Sequence, residues 1–95
     1  MQLGKVVGTV VSSQKDEKLK SLALFIVQYI DTFGKATGNL VVAADSVGVG
    51  TGEVVLVASG SSARQTDITQ GKPVDAVIMA IVDVLEVDGE QRYVK

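Results

Sequence analysis

The segment Asp45–Thr66, DSVGVGTGEVVLVASGSSARQT, constrains the chain more than any other. Three glycines at alternate positions (Gly48, Gly50, Gly52) run into five apolar residues, Val54–Ala58, and a Gly-Ser-Ser-Ala-Arg turn follows at Gly60. Glycine opens backbone angles that other residues avoid, and the valine-rich run suits a buried strand. Two tight reversals therefore bracket one strand. The segment is a ligand cradle, a catalytic elbow or an assembly joint.

Spacing argues against the first two. A dinucleotide fingerprint places G-x-G-x-x-G between a strand and a helix, whereas here the spacing differs and a strand follows. Gly71-Lys72 lacks the upstream glycine and the following Ser or Thr of a phosphate-binding loop. Gly60–Arg64 is not G-x-S-x-G, and the chain has no histidine to act as base. It also has no cysteine, hence no thiolate and no disulfide framework. Asp45, Asp75 and Asp83 remain as carboxylates for a hard cation or acid–base work. Isolated aspartates at strand ends read better as turn caps or arginine partners. No cofactor, metal or catalytic residue is expected. In the turn, Ser61 or Ser62 is read as a cap and Arg64 as seeking a carboxylate, across a subunit boundary if need be.

The rest of the chain reads as strands. Met1–Ser13 is rich in β-branched residues, with Gly4 and Gly8 on one face and Leu3, Val7 and Val11 on the other. Glycine inside a strand marks a bend or the close approach of another backbone. Gln14–Ser21 is a charged loop. Leu22–Ile30 is apolar on both faces, so one face meets the core and the other a neighbour. Phe25 and Tyr29 could form a stacking platform for single strands, but without a basic groove they belong to packing. A turn over Asp31–Asn39 and a strand over Leu40–Ala44 lead into the glycine loop. Pro73–Val87 fits helical spacing at Val74, Val77, Ile78, Ile81, Val82 and Leu85, yet its β-branched content favours a strand after a turn at Val74–Ala76. Asp88-Gly89 is a hairpin signal with Gln91–Lys95 returning. The sum is one mostly-β domain over residues 1–95, about five strands, with one short helical turn near 60–66.

Composition narrows the partners. The chain is 46% hydrophobic with only 4% aromatic residues, and so much apolar area on a 95-residue domain points to self-association. Nine Lys and Arg are scattered against eleven acidic residues, giving a net charge of −2 and no basic stripe for nucleic acid. Only Lys15, Lys18 and Lys20 cluster, and Asp16 and Glu17 dilute them. The start MQLGKVV lacks the parts of a signal peptide, and no apolar run is long enough for a membrane helix. A reducing cytoplasm fits.

Four blocks in order carry a family resemblance: MQLGKVVGTVVSS, AADSVGVGTGEVVLV, GSSARQT and PVDAVIMAIVD. Together they resemble the EutN/CcmL family, the pentameric vertex proteins of carboxysomes and other bacterial microcompartments. The resemblance runs from Met1 to about Val87. It implies a small five-stranded barrel of the oligonucleotide-binding type, assembled as a homopentamer and used for assembly instead of nucleic acid. It implies hexameric or trimeric shell tiles as partners, and the shell of a cytoplasmic compartment as location. Gly48, Val49, Gly50, Thr51 and Gly52 are then expected near the five-fold axis or a subunit joint, and Ser61, Ser62 and Arg64 at a subunit boundary. The competing reading is a barrel that binds nucleic acid or a small ligand.

Overall fold

The computed structural model describes all 95 residues, Met1–Lys95. Strands β1 (Gln2–Val10), β2 (Leu24–Ile30), β3 (Ala36–Asp45), β4 (Val54–Ser59) and β5 (Ala76–Ile81) close a barrel in the order β1-β2-β3-β5-β4. A separate hairpin, β6 (Val84–Val87) and β7 (Glu90–Val94), follows. Single 3-10 turns lie at Glu17–Leu19 and Gly60–Arg64. The expected mostly-β barrel with a short helical turn is therefore what forms.

All neighbouring strands in the barrel are antiparallel except β3 and β5, whose parallel contact is only Ala44↔Val77 and Asp45↔Ile78. Ser46 Oγ donates to the Ile78 carbonyl at 2.6 Å and pins this short seam.

Alternating side chains fill the interior. Val6, Val27, Ala43, Val55, Val57, Ala76 and Ile78 are buried together, with Phe25, Tyr29, Val41 and Val49 packed against them. Phe25 and Tyr29 are thus packing residues, as their surroundings in the sequence imply.

The outer face is apolar too, and much of it is covered by the chain itself. At one end Leu22, Ala44, Ala58 and Val77 pack with Ala63 of the second 3-10 turn and with Leu19 and Val74. Elsewhere Ile30, Val54 and Val82 are covered by Leu85 and Tyr93 of the β6–β7 hairpin, beside Leu3 and Leu56. Arg92 on β7 lies over the Phe33 ring, 4.3 Å from its centroid, at the tip of the β2–β3 hairpin. The second apolar face of β2 needs a cover, and part of that cover is intramolecular.

Several boundaries differ from the sequence reading. Strand β1 stops at Val10, and a bulge between Val6 and Gly8 puts Gly4 against Val27 but Gly8 against Ile26, on opposite faces instead of one. The β2–β3 turn is shorter than Asp31–Asn39, because Asp31 Oδ1 accepts from the backbone N–H of Phe33 (2.8 Å) and Lys35 (3.0 Å) and lets β3 begin at Ala36. The long strand read over Val77–Val87 breaks at Val82-Asp83, where Val82 N–H donates to Val54 O and the chain leaves the barrel.

Candidate assembly site

The glycine loop, residues 46–53, leaves β3 and enters β4. Its shape is set from its two ends by carboxylates. Asp45 accepts from the backbone N–H groups of Val47 (2.8 Å), Gly48 (3.0 Å) and Val49 (2.9 Å). A carboxylate taking several backbone N–H groups is a strong, charge-assisted arrangement. Asp45 is therefore a turn-forming residue, and the metal reading loses its first ligand. No group of three His, Cys, Asp or Glu side chains comes together as a metal site. At the far end Glu53 Oε1 accepts from Gly50 N–H at 2.6 Å, and Glu53 Oε2 pairs with Lys95 at 2.7 Å. The Lys95 ammonium and the Gly50 N–H together hold the Glu53 carboxyl below the usual glutamate range. The Glu53 carboxylate correspondingly pushes the Lys95 ammonium up.

Within the loop, Gly48 (φ 83°) and Gly52 (φ 94°) occupy the left-handed region, which the loop needs in order to reverse. Gly50 does not. A Cβ at Gly48 or Gly52 would meet no atom of this chain within 4 Å, so backbone angle and not crowding is what the chain itself requires there. Val49 is the one loop side chain packed into the barrel core, while Val47, Gly48, Gly50, Thr51 and Gly52 are exposed.

The second predicted segment is exposed at Ser61, Ser62 and Arg64. Neither serine caps the turn. Ser59 holds the N-cap position and makes no side-chain cap bond, because the turn is a single 3-10 coil seated by buried Ala63 and by Gly60 N–H donating to Asp75 O. Arg64 donates to the Val74 carbonyl at 3.1 Å and has no carboxylate partner in its own chain. The two segments are not one patch. Six residues of β4 separate them, roughly 20 Å of extended chain.

Three further features lie around the loop and β3. Glu53 and Lys95 tie the loop to the C-terminal hairpin, and Glu53 was readable as the carboxylate three residues after Gly50. The β3 side chains Leu40 and Val42 stay 62% and 49% exposed. Beside Val42 lies an apolar cleft of about 190 Å³ lined by Leu24, Ala44, Val74 and Asp75.

The closed barrel thus carries an exposed, carboxylate-shaped loop and exposed apolar side chains at Leu40 and Val42. The chain belongs to the EutN/CcmL family. The family model described as "Ethanolamine utilisation protein EutN/carboxysome" matches residues 1–83. The carboxysome shell vertex protein CcmL of Gloeobacter violaceus is 44% identical over 95 residues, which is all of this chain and 95% of the relative. Its solved structure superposes with a TM-score of 0.95, covering 100% of this chain and 98% of that one. The microcompartment shell vertex protein EutN of Escherichia coli is 40% identical over 90 residues, 95% of each chain. The solved GrpN pentameric microcompartment shell protein of Rhodospirillum rubrum is 42% identical, with a TM-score of 0.84 over 92% of this chain and 99% of that one.

Proposed function

We propose that this chain is a structural shell protein that forms homopentamers and caps the five-fold vertices of a bacterial microcompartment. The observation that carries the reading is full-length likeness to shell vertex proteins, at 44% identity and a TM-score of 0.95. The five-fold state is carried over from GrpN, a pentameric shell protein of the same barrel fold. The mechanism is geometric. Hexagonal tiles make a flat layer, and a layer closes into a polyhedron only where five-fold units replace six-fold ones. Lateral contacts in such a ring are heterologous, one patch meeting a different patch on the next copy until the rotation closes.

Leu40 and Val42 support this reading as apolar surface awaiting a neighbour. The loop Gly48–Gly52, including Val49 and Thr51, is assigned to the five-fold axis or a subunit joint. Ser61, Ser62 and Arg64, at the other end of β4, are assigned to a subunit boundary, with Arg64 seeking a neighbour's carboxylate. The outer partners are hexameric or trimeric shell tiles, and the location is the shell of a cytoplasmic compartment. The role is architectural, not catalytic, in keeping with a chain that commits Asp45 to a turn and has neither histidine nor cysteine.

Native mass spectrometry of the full chain tests the assembly. A five-fold mass is expected at micromolar concentration, and a monomer there overturns the proposal. Leu40→Asp should lower the five-fold population while leaving the monomer folded.

A further inference from the structure

The C-terminal hairpin and the glycine loop meet at one side chain. Glu53 stands at the junction of loop and β4, and its two carboxylate oxygens face different elements. One takes the Gly50 N–H at 2.6 Å, and the other takes the Lys95 ammonium at 2.7 Å. Both elements have other anchors. The backbone of Glu53 is tied to β1, since its carbonyl accepts from Val6 N–H at 3.0 Å. Lys95 N–H donates to Asp83 O at 2.8 Å, which places the lysine beside the point where the chain leaves the barrel. Leu85 and Tyr93 seat the hairpin on the outer face of the barrel. The half of the loop nearer β3 is independent of this contact, because Asp45 holds Val47, Gly48 and Val49.

We infer that Glu53 is a two-sided clasp through which the C-terminal hairpin fixes the loop at Gly50, Gly52 being held separately by its N–H on the Val6 carbonyl at 2.7 Å. The loop that a neighbouring copy meets in the proposed ring is then set by Lys95, and that consequence rests on the pentameric reading. The clasp itself lies within one chain and does not. The ionisable groups around it are Glu53 and Lys95 themselves, with Asp83 and Tyr93 acting on the lysine. A carboxylate shared between a backbone N–H and an ammonium is held in one orientation. Removing the ammonium frees it to rotate into solvent and release Gly50.

The test is residue-resolved amide exchange, with a pH titration of the Gly50 amide resonance, on the full chain carrying Lys95→Met, Glu53→Gln or Glu53→Ala. Lys95→Met should speed exchange at Gly50 roughly two- to five-fold, the scale of a surface ion pair. It should also move the Gly50 titration midpoint up toward the ordinary glutamate value. Glu53→Gln keeps an acceptor and should match Lys95→Met, whereas Glu53→Ala removes both contacts and should exceed them. Val47–Val49 should exchange as in the parent, which separates loss of the clasp from general loosening. Unchanged Gly50 exchange and titration in Lys95→Met overturn the clasp, as does Glu53→Ala behaving like Glu53→Gln. Native mass spectra of the same samples keep the two ideas apart. A monomer with accelerated Gly50 exchange removes the ring and leaves the clasp, while a pentamer with unchanged exchange does the reverse.

Discussion

The barrel wall and the loop at residues 46–53 use the same two residue types, valine and glycine, and are held by opposite means. In the wall, valines at Val6, Val27, Val55 and Val57 are fully or almost fully buried, and Gly4 is a glycine because space runs out. A Cβ there would collide with the Val27 side chain. In the loop only Val49 reaches the core, and Gly48 and Gly52 are glycines because their φ angles demand it, with open space around them. Apolar burial organises one region. Carboxylates taking backbone N–H groups organise the other. The difference separates a scaffold that cannot change from a surface element with room for a partner.

Substitutions in the two regions should therefore differ in size. Ile78, buried in the centre of β5, should give the largest effect. Ile78→Ala is expected to cost about 3 kcal/mol, as deletions from packed cores do, measured by denaturant unfolding at fixed protein concentration. A cost below about 1 kcal/mol would show that the interior relaxes and that the contrast is overstated. Gly4→Ala comes next, at about 2 kcal/mol, because the added methyl overpacks a site already occupied by Val27. Gly4→Ala without loss of melting temperature would mean that the two groups of glycines are alike. Asp45→Ala should cost about 1 kcal/mol, since it leaves the Val47–Val49 amides to partly exposed surroundings where water replaces the carboxylate. Its signature should be local, with faster exchange at those three amides and unchanged exchange at Val27 and Val55.

The smallest effect is electrostatic and sharpens the picture of the loop's far end. The Glu53 carboxyl is held below the ordinary glutamate value in the folded state, chiefly by Lys95. Its contribution to stability is thus present above the unfolded glutamate pKa and is lost as pH falls through the lowered folded pKa. Lys95 is pushed up, so its contribution is complete below the unfolded lysine pKa and is lost as pH rises through the raised folded one. The stability difference between the parent and Lys95→Met should accordingly be flat around neutrality and vanish toward both extremes. It should shrink at 1 M salt, where the screening length is about 3 Å. A difference that persists in strong acid would assign the role of Lys95 to packing of its stem.

Much of the wall was legible in the sequence because strand and turn chemistry are local. Val54–Ala58, the Asp88-Gly89 turn and the short helical turn after Gly60 lie where composition puts them. The misplaced features depend on distant partners. Ala36–Asn39 looks like turn, but pairing of Ile30 with Ala36 and Gln28 with Leu40 draws it into β3. The bulge between Val6 and Gly8 lies beside one of the glycines that mark a bend, but its position follows from the match of β1 to β2. Val82-Asp83 reads as unbroken strand until the carbonyl of Val54 claims the Val82 N–H. In the site, the glycine positions were visible, whereas the link from Glu53 to Lys95 spans too much sequence for any local pattern to reveal. The outer face of β2 was read as meeting a neighbour; at Ile30 that cover is the chain's own hairpin, and the open apolar side chains lie instead on the adjacent β3, at Leu40 and Val42.

The short seam between β3 and β5 has a consequence for the order of events during synthesis. The barrel needs Gln2 to meet Val57 and Asp45 to meet Ile78, contacts that join distant parts of the chain. Such non-local closure slows folding, because loop entropy is lost before contacts compensate for it. An N-terminal fragment lacking Ala76–Ile81 has no fifth strand, so its β3 and β4 edges stay unpaired. Closure therefore waits until Ala76–Ile81 has been made, and a chain that lacks this strand has no finished barrel surface to offer another copy.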